Sequence, residues 1–181
     1  MNPILYGVMV YEHAFLAKLA KERWDHMVAA LHKIYEFELR LWKFDVLRIP
    51  EWRAAAANDA SKAQIVFVVT NGAGELPLEV KTWIEQWLAL MDRKQETARL
   101  LTFLFGSSGI MPGSSAFSQF AYLQQAARRG SMDFIASPAP AQNQESVMRF
   151  HAPSALMRLP EDHGGRGPRC IVGETPHGDP P

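Results

Sequence analysis

The stretch QIVFVVTNGAGELPLEV, residues 64–80, decides the fold. Residues 64–69 form a nearly continuous apolar run, the pattern of a parallel strand covered on both faces. Gly72, Gly74 and Pro77 then punctuate the chain as a tight elbow. Beyond it Val80, Ile84, Trp87, Leu88 and Met91 recur at the spacing of one helical face, while Glu79, Lys81, Glu85 and Gln86 occupy the other. A second apolar run, LLTFLF at 100–105, follows that helix. Strand, crossover helix and strand make a βαβ unit, so the two runs are expected to lie parallel at the centre of a sheet.

The same alternation continues outward in both directions. ILYGVMVY (4–11) reads as a central strand, followed by a helix with Leu16, Ala20, Trp24, Met27, Val28 and Leu31 on its buried stripe. FELRLWKF (37–44) alternates polar and apolar residues, as a half-exposed edge strand does. An Ala-rich helix is expected after Pro50. Downstream, Ser114 or Ser115 can cap a helix whose inward side carries Phe117, Phe120, Ala121 and Leu123 and which Gly130 ends. MDFIA (132–136) supplies a short fifth strand.

This βαβαβαβαβ pattern predicts an α/β fold: a doubly wound, five-stranded parallel sheet in the order 2-1-3-4-5, the flavodoxin-like arrangement. Residues 1–137 form that domain. Eight of the twelve prolines fall in the last 44 residues, so 138–181 is expected to be a Pro/Gly-rich, mostly disordered tail. Within it a short helix over 142–151 is expected to dock through Val147 and Phe150.

Composition narrows the function classes. Nineteen basic residues balance nineteen acidic ones, so no overall field draws the chain to nucleic acid or to an anionic membrane. Arg128 and Arg129 close a helix, where cations favour its negative end, and form no nucleic-acid stripe. Cys170, the single cysteine, excludes an intrachain disulfide and a Cys-based zinc site. The opening MNPILYGVMVYEHAF lacks the basic start of a signal peptide, and no apolar run approaches a membrane span. A cytoplasmic, bacterial-type protein is the expectation. No residue set forms a hydrolytic triad, so no catalytic residue is assigned.

In a sheet of this order ligands bind beyond the carboxyl ends of the strands, where strands 1 and 3 diverge. That rule selects Glu12 and His13, Asp45, residues 70–75, residues 106–109 and Ser137. Glu12 and Asp45 as a cation site is weighed against two solvated carboxylates, and no metal is assigned. The elbow itself admits two readings, a connection in which the glycines supply positive φ, or a ligand-contacting loop built on Thr70, Asn71, Gly72 and Gly74.

TNGAGELP (70–77) is similar to the second flavin-binding loop of flavodoxins, and FLFGSSG (103–109) resembles their strand-4 loop. That resemblance implies FMN or another flavin, or a nucleotide, held by 70–75 and 106–109 in a redox protein. The strand-1 loop YEHAFLA departs from it, with a carboxylate and no glycine where flavodoxins cradle a phosphate.

In pattern, residues 4–138 also resemble response-regulator receiver domains. Glu12 stands where receivers hold magnesium, and Ser107 or Ser108 where they carry Ser or Thr. Thr70 and Asn71 replace the phosphoacceptor Asp, and Ser137 replaces the Lys before proline. The resemblance implies a degenerate, non-enzymatic receiver-like module with no cofactor, acting in regulation or protein interaction. Its candidate ligand-binding residues are Glu12, Thr70, Asn71, Gly72, Gly74, Ser107 and Ser108. Trp42 on the edge strand and Trp83 at the margin of its helix stripe are the candidate surfaces for a protein partner or self-association.

Overall fold

Burial divides the strands as hydropathy does. In the computed structural model, which describes residues 2–91, 99–106, 110–139 and the backbone of 170–172, strands β1 (Ile4–Tyr11), β2 (Glu36–Lys43), β3 (Ile65–Thr70), β4 (Leu100–Phe105), β5 (Asp133–Pro138) and β6 (Cys170–Val172) form one sheet. Helices α1 (Ala14–Leu31), α2 (Pro50–Lys62), α3 (Leu78–Leu90) and α4 (Ser115–Arg129) connect the first five. Every residue of β3 and β4 is buried, while β2 has none that is fully buried.

The order is β2-β1-β3-β4-β5-β6 and every pairing is parallel. The first five strands thus have the flavodoxin-like order 2-1-3-4-5. One addition was not legible: Cys170–Val172 pairs with Phe134–Ala136, so β5 is flanked on both sides. The expected helix over 142–151 lies outside the described residues.

Handedness sets the layers. The step from β1 to β2 runs one way across the sheet and the later steps run the other, so right-handed crossovers put α1 on one face and α2, α3 and α4 on the opposite one. Two apolar clusters follow: Leu16, Ala20, Trp24 and Met27 of α1 meet Leu5, Met9, Phe67 and Leu104, and Ala56, Trp83, Ile84, Trp87 and Leu123 meet Val8, Val68 and Phe103. A Cβ at Gly7 would collide with the Trp24 ring, so that glycine lets α1 sit close to the sheet.

Local signals place the helix ends. Pro50 opens α2, with Glu51 in its first turn and Lys62 in its last. Ser114 Oγ accepts from Phe117 N at 3.1 Å and caps α4, which Gly130 ends. A 3₁₀ segment, Phe44–Arg48, precedes α2 and buries Phe44 and Leu47. No helix among the described residues is long and apolar enough to cross a membrane.

Two expected faces need correction. Trp83 is fully buried and stacks on Trp87, with ring centroids 5.4 Å apart, so it belongs to the core rather than to a partner surface. α3 packs against α2, the segment Phe44–Arg48 and α4, and shares one apolar cluster with residues of the sheet, which widens its buried stripe past one face. In α4 the inward residues are Ala116, Gln119, Leu123, Ala126 and Ala127, whereas Phe117 and Ala121 are exposed.

Candidate functional site

The strand order reverses between β1 and β3, and their carboxyl ends deliver Glu12 and the 70–75 elbow side by side. The crevice expected there is bridged. Glu12 N donates to Val69 O at 2.9 Å, and the Glu12 carboxylate accepts from Asn71 N at 2.8 Å.

Five more of the elbow's groups are satisfied from within. Thr70 is buried; its hydroxyl donates to Gln119 Oε1 at 2.7 Å and accepts from Gly72 N at 3.0 Å. Asn71 Oδ1 accepts from Ala73 N at 2.7 Å, closing an Asx turn. On the carbonyl side, Ser115 Oγ donates to Gly72 O at 2.8 Å and Gln119 Nε2 to Gly74 O at 2.9 Å. The backbone amides of 71, 72 and 73 each have a side-chain acceptor supplied by this chain.

Glycine is required here for two different reasons. Gly72 has φ 79°, in the left-handed region that L side chains rarely adopt. Gly106, at the end of β4, lies so close to the elbow that a Cβ would stand 2.5 Å from Asn71 O. Gly74 is exposed and left-handed, with open space where a Cβ would point.

Charges on the elements around the mouth are paired with one another. Lys43 contacts Asp45 at 2.6 Å, Arg48 contacts Glu79 at 3.0 Å and Lys81 contacts Glu75 at 2.8 Å. The hydrogen bond and charge of Lys43 hold the Asp45 carboxyl below its ordinary range, and those of Lys81 do the same for Glu75. A backbone N–H lowers Glu79 first, with Arg48 adding to it. His13 Nε2 lies 3.5 Å from Glu12. Among the described residues no group of three or more His, Cys, Asp or Glu is placed to hold a metal ion.

Of the residues selected from sequence, Glu12, Thr70, Asn71 and Gly72 are brought into one network and Gly74 sits at its rim. Ser107, Ser108 and Gly109 lie outside the described residues. Ser137, at the end of β5, donates through Oγ to Pro138 O at 3.4 Å. Trp42 is half-buried, donating from Nε1 to Asp59 at 3.2 Å and resting against the exposed Trp52.

Sequence reading missed Gln119 and Ser115, which clamp the elbow from α4. The available signal was positional: Gln119 occupies the i+3 step between Ala116 and Leu123 on one face, where a polar residue needs a partner. The chain matches no known family model, no curated protein and no solved structure.

Proposed function

We propose that the chain is a non-enzymatic, receiver-like regulatory or protein-interaction module that acts in the cytoplasm. One observation carries the reading: the elbow at the switch point spends the amides of Asn71, Gly72 and Ala73 and its threonine hydroxyl on side chains of the same chain. A flavin ring edge or a phosphate needs such amides free, since they are the groups that would approach it. Thr70 is also a poor phosphoacceptor, being buried with its hydroxyl held between Gln119 and Gly72 N. The paired cations around the mouth support the same reading, because an incoming phosphate would have to displace a carboxylate to reach them.

The alternative, a flavin or nucleotide binder using 70–75 and 106–109, is favoured by the open, left-handed Gly74. A visible absorption spectrum separates the two. The purified protein is mixed with FMN or riboflavin, desalted and scanned; the interaction reading expects a colourless protein, and a retained flavin band would replace it with the redox alternative.

A further inference from the structure

β2 is an edge, and among the described residues no strand pairs with its outer side. Glu36 N donates to Pro3 O at 3.0 Å, which turns the backbone groups of Glu36 toward β1. By the two-residue repeat, those of Glu38, Arg40 and Trp42 turn the same way. The N–H and C=O groups of Phe37, Leu39 and Leu41 therefore point outward. Eight residues without glycine or proline make this a long, regular template for another strand, and Leu41 on it is 52% exposed.

The charges along the edge select the partner. Glu36 and Glu38 precede Arg40 and Lys43, so an antiparallel copy of the same strand presents the opposite sign at each end. Outward groups must meet outward groups, which places a two-fold axis on a residue rather than between two. Centred on Glu38 the axis sets that carboxylate against itself, and centred on Arg40 it does the same for the guanidinium. Centred on Leu39 it sets Glu38 of each copy opposite Arg40 of the other, twice, with Leu39 against Leu39 and Phe37 opposite the exposed Leu41. The Glu38 and Arg40 positions are then non-hydrogen-bonded pairs, whose side chains approach most closely.

We propose that β2 is a self-association edge: two copies of the chain pair antiparallel about Leu39 and join their sheets into one. The proposal rests on the interaction reading above and names its partner as a second copy. In the single chain Arg40 contacts Glu38 of its own strand at 2.8 Å; pairing builds a four-charge cluster from two such contacts.

Sedimentation velocity of the full chain over rising concentration tests this. The wild type is expected to sediment at twice the mass of the chain. Arg40→Glu and Glu38→Arg should each weaken self-association about tenfold or more, because two attractive cross-strand pairs become repulsive. Mixing the two variants should restore the dimer, as should the doubly exchanged chain Glu38→Arg/Arg40→Glu, and that recovery also shows that the variants fold. A wild type that remains monomeric, single variants that dimerise undiminished, or a mixture and a double exchange that both stay monomeric would each overturn the proposal. The flavin spectrum taken on the same sample keeps the two readings apart: a coloured dimer would remove the interaction-module reading alone, and a colourless monomer would remove the edge alone.

Discussion

The elbow at the carboxyl end of β3 and the outer edge of β2 are opposite solutions to the same requirement, that backbone polar groups find partners. In the elbow, Glu12, Thr70, Asn71, Ser115 and Gln119 satisfy the backbone from within. Along β2 every second residue directs its N–H and C=O away from the sheet. Fold-level rules point to the elbow as the place for a ligand, yet its amides at Asn71, Gly72 and Ala73 are already engaged. The edge, which those rules ignore, directs a regular row of backbone groups outward. Position in a fold nominates a site, and hydrogen-bond accounting decides whether the site has capacity for a ligand.

Four substitutions would break or sharpen the contrast. The largest effect is expected under the elbow's helix, where Trp83→Ala empties a fully buried position and should destabilise the fold by ~3–5 kcal/mol in chemical denaturation. The partner-surface reading of Trp83 would instead give a small loss. Gln119→Leu should cost about 2 kcal/mol, since it leaves the buried Thr70 hydroxyl proton without an acceptor and removes the donor to the Gly74 carbonyl.

The third effect lies between α3 and α4. Burial, then the Glu85 charge and its hydrogen bond, push the Tyr122 phenol from 10.0 to about 12. A raised pKa means the folded chain keeps a proton that the unfolded chain releases. The stabilisation is therefore complete below pH 10 and lost as pH rises toward 12. Solvent screening at this partly exposed site limits it to about 1 kcal/mol. Urea midpoints of Tyr122→Phe should fall less steeply over that window than those of the wild type. The smallest effect is expected at the edge: Arg40→Glu should alter monomer stability by no more than ~0.5 kcal/mol, although it removes the proposed self-pairing.

Elements whose role depends on hydropathy were legible. The continuous runs of β3 and β4, the alternation of β2 and the stripe of α1 each encode burial directly, and they separate central strands from edge strands. Elements whose role depends on hydrogen bonding or on more than one neighbour were not. Gln119 reads as surface by polarity, yet its amide is the clamp on the elbow. Trp83 falls off a single-face stripe because α3 has neighbours on several sides. Phe117 looks like core by composition, but the smaller Ala116 lets α4 approach Gly72 and takes the inward position, the two Cβ positions lying 3.3 Å apart if Gly72 carried one. β6 has three residues, too few for a periodic signal to emerge from a proline-rich background.

The central claim is that the elbow's amides at Asn71, Gly72 and Ala73 are already engaged in the free protein. Amide hydrogen exchange at Asn71 and Gly72, with and without FMN, tests it most directly. The account predicts slow exchange at both positions in the free protein, unchanged by FMN. Exchange as fast as an open loop, slowing when FMN is added, would contradict it and make the elbow a binding loop.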